Sequence, residues 1–306
     1  MPSSALRSRV LLVLPLAVAL TGCDVSLGNL TGRATDEWTH SYPLTAGGEV
    51  HIGNTNGRID VEGVDGSTVE VRAERIARAA TDAGAKELLP RIAIKEDIQP
   101  DRVSIETDRL GGMGGIMIGV SYEVRYHVKA PKNAVINVTN TNGLVNVSGL
   151  TGKVRAHTTN GGVRGKDLTG EVDARTTNGG VNLEFAAIGK EPITLRTTNG
   201  GVSVYLPENA KADLTATWTN GGVSYSDVKL DVTEKSRRRL EAKMNGGGTP
   251  IELHTTNGGI RIRNRSDAPS NTDSADTDKE DSSGDLTVMK PPKPPKPPQP
   301  PSGERR

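Results

Sequence analysis

Apolar residues recur at every second position along most of the second half of the chain, in short runs interrupted by Asn and Gly. Val154, Ala156 and Thr158 form one such run, followed by Val172, Ala174 and Thr176, then Ile193, Leu195 and Thr197, and later Ile251, Leu253 and Thr255. After each interruption the alternation resumes, with Val145 and Val147, Val181 and Leu183, Val202 and Val204, and Ile260 and Ile262. Successive side chains on a strand point to opposite faces, so period-two alternation predicts strands with one face buried.

The interruptions are copies of one unit, T-T-N-G-G-[VI] in its fullest form. Aligned on the Asn, they fall at Asn56, Asn142, Asn160, Asn178, Asn199, Asn220 and Asn257, and a degenerate copy runs from Met244 to Gly248. Asn142, Asn160 and Asn178 are spaced by 18 residues and the next two steps are 21. Two architectures accommodate this. Each Asn-Gly can close a type I′ hairpin in an antiparallel meander. Alternatively, each unit is one coil of a solenoid whose equivalent strands stack in parallel. The solenoid is favoured, because it explains why identical residues recur at identical phases. Stacked Asn side chains can then bond along a ladder, Gly after Asn supplies positive φ and close backbone approach, and small inward Ala and Thr suit a narrow interior. The fold class is therefore all-β, a single-chain parallel β-solenoid of roughly 18–21-residue coils with a small strand-rich insertion near its N-terminal end, about residues 68–131. Within the insertion, residues 68–75, 91–98, 102–107 and 120–128 alternate like strands. Thr81 to Leu89 reads as a short helix with Thr81 as N-cap and Pro90 as the stop. Gly111 to Gly115 reads as a loop; a phosphate cradle would require a following helix with Lys and Ser or Thr, and a strand follows instead.

The order of these parts resembles the DUF4097 "putative adhesin" family of β-strand-repeat proteins over about residues 45–264. A first Asn-Gly unit is followed by longer charged strands, then by the strand end Tyr126-x-Val128-x-Ala130-Pro131, then by the run of T-[TS]-N-G-G-[VI] units. The resemblance implies a β-solenoid domain on bacterial envelope proteins, often lipoproteins or otherwise membrane-anchored, with no established catalytic role.

The two ends differ in kind from the repeat. Arg7 and Arg9 precede an apolar stretch from Val10 to Leu20 that is too short to span a bilayer, and Leu20-Thr21-Gly22-Cys23 resembles the lipobox of bacterial lipoproteins. Residues 1–22 are expected to be a signal peptide, Cys23 the site of lipid attachment, and 23–44 a lipidated N-terminus with a short linker. Acyl chains contribute about 0.8 kcal/mol per buried CH₂, enough for two or three to hold the chain on the exported, periplasmic or cell-surface side of an envelope membrane. Cys23 is the one Cys in the chain, so an intramolecular disulfide is excluded. Residues 265–306 are expected to be a disordered tail: an acidic stretch from Asp267 to Asp285, then the Pro-rich run Pro291 to Pro301, a polyproline II spacer or a ligand for an aromatic-lined groove.

Composition narrows the chemistry. Aromatic residues make up 3% of the chain, with one Phe and two Trp, and the formal charge is +1. That balance lacks the clustered cations needed for a nucleic acid partner. No outward phase stacks Asp or Glu in neighbouring coils, the arrangement a polysaccharide-cleaving β-helix would require, so no catalytic residue is assigned. The scattered His residues and neutral turns predict neither zinc nor calcium, and no cofactor. Three residues before the Asn, His157, Arg175 and Arg196 form a short basic stripe, a possible surface for envelope glycans or another envelope protein. Trp218 shares the phase of the inward Thr residues and is expected in the core. The functional expectation is an adhesin-like or envelope-organising scaffold. A polysaccharide-acting β-helix enzyme and an envelope-stress signalling module are the competing classes.

Overall fold

The computed structural model describes residues 30–108, 119–225 and 228–268. The signal peptide, Cys23, the Gly111–Gly115 loop and the tail beyond residue 268 lie outside the described residues.

The repeat folds as a parallel β-solenoid. Each coil runs up one strand, bends at Asn-Gly and continues in a second strand, so the strands fall into two stacks sharing one core. The first stack contains β2 (Glu49–Asn56), β8 (Val135–Asn142), β10 (Val154–Asn160), β12 (Val172–Asn178) and β14 (Ile193–Asn199). The second contains β3 (Ile59–Val64), β9 (Val145–Ser148), β11 (Val163–Leu168), β13 (Val181–Phe185) and β15 (Val202–Leu206). All neighbours within each stack are parallel, and the Asn residues are in register from Asn56 through Asn199. The alternating positions read from the sequence are the buried ones: Val154, Ala156, Val172, Ala174, Ile193 and Leu195 are at most 2% exposed. Nothing bulkier is needed, because parallel strands about 4.8 Å apart leave room for one side chain per coil at each inward position.

The last two coils depart from chain order. β16 (Ala212–Ser224) and β19 (Thr249–Asn264) each run unbroken through the bend. β19 pairs with β14 and β15 on one side and with β16 on the other. The spatial order of the turn is therefore Asn199, Asn257, Asn220, and the later coil is inserted between two earlier ones. The degenerate Asn245 copy is no coil. It is a tight loop, with Asn245, Gly246 and Gly247 all at positive φ, between β18 (Arg239–Met244) and β19.

Antiparallel strands close the two ends. At the far end β18 and then β17 (Asp231–Lys235) follow β16, and Trp218 is buried there, 8% exposed. At the near end the insertion supplies β6 (Arg102–Thr107) beside β2 and β7 (Val120–Pro131) beside β3. β7 continues into β4 (Thr68–Ala79) and β1 (Gly32–Pro43), and β6 into β5 (Ile94–Gln99). The coil of Asn56 stacks directly on that of Asn142, so the insertion caps the solenoid rather than interrupting it. Residues 32–43 correct the expected linker: they are a strand paired along its whole length with β4. The expected helix is α1 (Asp82–Leu88), with the Thr81 hydroxyl accepting from the Gly84 N–H. A 3₁₀ turn containing Pro90 ends it.

Candidate functional site

Every outward surface of the solenoid is a set of rows, one residue per coil. The turn row is the most regular. Each Asn donates from Nδ2 to the Oδ1 of the Asn in the neighbouring coil, at 2.7 Å for Asn142 to Asn56 and 2.8 Å for Asn160 to Asn142, Asn178 to Asn160, Asn199 to Asn178, Asn257 to Asn199 and Asn220 to Asn257. Backbone bonds run the opposite way, from Gly179 N–H to the Asn199 carbonyl and from Gly200 N–H to the Asn257 carbonyl. The Gly after each Asn has no substitute. At Gly179 and Gly200 φ is +151°, and a Cβ would lie 2.0 Å and 1.9 Å from the carbonyl oxygen of the preceding coil's glycine. The inward Thr row completes the turn: the hydroxyls of Thr158, Thr176, Thr197 and Thr255 donate to the carbonyls of Gly143, Gly161, Gly179 and Gly200 at 2.7–3.2 Å. The Asn repeat is thus consumed by the architecture, as cross-β Asn ladders are.

The basic stripe exists as a row but not as free charge. Its spatial order is Thr139, His157, Arg175, Arg196, His254, Thr217. The inserted coil brings His254 beside Arg196, which chain order had put one place further on. Arg175 is held bidentately by Asp173 at 2.7 and 2.8 Å, and Arg196 by Glu252 at 2.9 Å. His157 Nε2 lies 3.7 Å from the same Asp173, and His254 Nδ1 is 2.9 Å from the Thr217 hydroxyl. Asp173 comes from the same strand as Arg175, and Glu252 from the coil inserted next to Arg196. The stripe is therefore a row of ion pairs with little net charge to offer a ligand.

Three carboxylates of the coils, Glu171, Asp173 and Glu184, are each paired separately. Glu171 pairs with Lys153 at 2.5 Å, Asp173 with Arg175, and Glu184 with Arg265 at 2.9 Å. Glu184 projects from β13 in the second stack, whereas Glu171 and Asp173 belong to the first. A depression of about 520 Å³ between the loops around Gly189, Ala210 and Gly248 is lined by Lys190, Lys211, Asn209 and Thr249 and contains no carboxylate or His. Among the described residues no group of three or more His, Cys, Asp or Glu could hold a metal ion.

Burial perturbs the acidity of two tyrosines. Tyr126 in β7 is buried, and the loss of solvent raises its phenol to about 12 despite the Thr107 hydroxyl 2.8 Å away. Tyr42 is pushed up by burial and further by the Glu96 carboxylate that its hydroxyl contacts at 2.6 Å. Both serve packing in the near cap. That cap also holds an aromatic pair: the rings of Trp38 and His40, two apart on β1, stack at 4.4 Å.

The second stack carries the charge that sequence order concealed. Along its outward row run Asn146, Arg164, Asn182, Ser203, Arg261 and Ser224. Tyr205 and Arg263 are partners two residues further along the strands. Arg265, just after β19, reaches across to Glu184 and Asp167. The sequence signal was Arg261-x-Arg263-x-Arg265 at period two, which places three cations on one face, but chain order put Ser224 between Ser203 and Arg261.

The family described as Toastrack DUF4097 matches residues 113–263. No protein with a curated description matches the chain. Among solved structures, a "putative cell adhesion protein" from Clostridium sporogenes is similar at 11% identity, covering 76% of this chain and 100% of its own, with a TM-score of 0.43. A "putative adhesin" from Bacteroides fragilis is similar at 10% identity, covering 75% and 97%, with a TM-score of 0.32. A "Putative lipid binding protein" from Parabacteroides distasonis follows at 9% identity, covering 74% and 96%, with a TM-score of 0.27.

Proposed function

We propose, from the premise that the chain belongs to the Toastrack DUF4097 family through residues 113–263, that it is a non-catalytic binding scaffold of the bacterial cell envelope, anchored by lipid at Cys23. The observation that carries the reading is the use made of the polar residues. The Asn and inward Thr rows are bonded into the coils, and Glu171, Asp173 and Glu184 are each tied to a separate cation. General acid–base cleavage of a glycoside requires two carboxyl groups facing one bond from about 5 to 9.5 Å apart, with at least one free to exchange a proton. The solenoid instead presents long, rigid rows at a fixed spacing, which suits recognition of an extended partner. The lipobox-like Leu20–Cys23 after the apolar stretch supports placement on the exported side of a membrane, with an envelope glycan or another envelope protein as partner.

The test joins anchoring and chemistry. Cells expressing the full chain are labelled with palmitate, fractionated, and compared with Cys23→Ser. The label and membrane association should both disappear in the variant. Purified chain is then incubated with envelope polysaccharides, and both bound polymer and new reducing ends are measured. Binding without chain shortening supports the scaffold; shortening of any polymer refutes it.

A further inference from the structure

We propose that the outward face of the second stack, built from β11, β13, β15 and the end of β19, is a docking surface for an acidic polysaccharide lying across the strands, along the solenoid axis. This rests on the scaffold reading and names its ligand class.

The face differs from the His157–Arg175–Arg196 row in one decisive respect. There, each Arg is matched by a carboxylate. Here, Arg164, Lys166 and Arg261 form no ion pair among the described residues, and Arg164 and Arg261 are exposed. They share one row with Asn182 and Ser203 between them. Three strand steps separate the two guanidinium-bearing positions, about 14 Å at the usual strand spacing. The two carboxylates that would repel an anion, Glu184 and Asp167, are both held by Arg265. The local field is therefore positive although the whole chain is nearly neutral.

The intervening groups select the kind of anion. Asn182 offers an amide, Ser203 a hydroxyl and Tyr205 a half-buried ring carrying a hydroxyl, the mixture that meets sugar hydroxyls and ring faces. Guanidinium groups bind carboxylate, sulfate or phosphate bidentately, so charged groups spaced along a glycan meet them in turn. A lipid surface would need exposed apolar anchors. Among the described residues the exposed large apolar ones are Leu30, just before β1, Ile98 in β5 and Val232 in β17, none of them on this face. A nucleic acid would need a longer basic track than one bounded by Asp60 at the near end.

The experiment uses the purified full chain, with immobilised polygalacturonate as the carboxylate probe, a phosphate-bearing wall polymer as the second anion and dextran as the neutral control, each titrated at rising salt. The expected result is binding to an anionic polymer that weakens steadily with salt, with dextran inert. Arg164→Ser combined with Arg261→Ser should weaken it about tenfold or more, the loss of two charge-assisted contacts. Arg175→Ser combined with Arg196→Ser should leave it within about twofold, since those charges are already paired. Thermal melts of both double variants should match the parent, because all four side chains are exposed. Equal losses from the two pairs, salt-independent binding, or no binding to either anion overturns the proposal. Dextran binding that survives Arg164→Ser and Arg261→Ser would overturn it while leaving the scaffold reading intact.

Discussion

Replacing Gly200 by Ala tests the turn where two coils approach most nearly backbone to backbone inside the stack, with neighbours on both sides. The new Cβ would sit 1.9 Å from the Gly179 carbonyl oxygen, whereas real Cβ contacts stay above 3.0 Å, so the two coils must part locally by about 1 Å. That movement stretches the bond from the Gly179 N–H to the Asn199 carbonyl, 2.8 Å in the parent, and the Asn199 to Asn178 side-chain bond beside it. Two weakened hydrogen bonds cost about 1 kcal/mol each. The φ of +151° adds about 1–2 kcal/mol for an L side chain, and residual crowding about 1 kcal/mol. The sum is about 4–5 kcal/mol, or on the order of 10 °C in melting temperature for a domain of this size. The control is Gly222→Ala, the second glycine of the Asn220 unit: a Cβ there meets nothing within 4 Å, and the backbone is not in the left-handed region. That change should be neutral or stabilise by up to about 1 kcal/mol through the unfolded chain. Urea and thermal melts followed by circular dichroism compare the two. If their stabilities agree within about 1 kcal/mol, the first glycine of the unit is not the structural one and the account of the turn fails.

Three further outcomes follow from the same geometry. Thr176→Val keeps the shape but removes the 2.7 Å bond to the Gly161 carbonyl, and should destabilise by about 1 kcal/mol in chemical denaturation. Because burial raises Tyr126 from 10.0 to about 12, the folded state favours the neutral phenol; its contribution is complete below pH 10 and is lost as pH rises toward 12. Tyr126→Phe should therefore flatten the fall in melting temperature across that window, and an unchanged slope would count against the assignment. Arg265→Ala should release Glu184 and Asp167 and lower affinity for an anionic polymer several-fold without moving the melt by more than about 1 kcal/mol.

The coils were legible in the sequence because period-two burial and a turn of fixed composition are both local signals. The coil at Asn56 was legible as a member of the family of turns, although the 86 residues before the next one hid that the two stack directly. Spatial order was not legible. Alternation reports which face a residue takes, not which strand lies beside it, so the insertion of β19 between β14 and β16 left little trace. The traces were the 37-residue gap from Asn220 to Asn257 and Trp218 standing where other coils have Thr or Asn. A Trp suits an end coil, which has no further coil beyond it to leave only a narrow slot. The same limit moved the candidate surface. The row of His157, Arg175 and Arg196 was read correctly in phase, but its compensation by Asp173 and Glu252 depends on neighbours. The cations of the second stack looked scattered until Arg261 fell beside Ser203.

The inserted strand also constrains how the molecule can be made. β14 and β16 share no hydrogen bonds; each waits for β19, which follows β16 by a cap of two antiparallel strands. A chain emerging from its N-terminus can stack coils in order only as far as Asn199. Beyond that, β16 has no pairing to the earlier coils until the sixteen-residue β19 is present to lie between them. The solenoid therefore cannot be completed by stacking coils in chain order: the last coil before β19 joins the rest only through β19 itself.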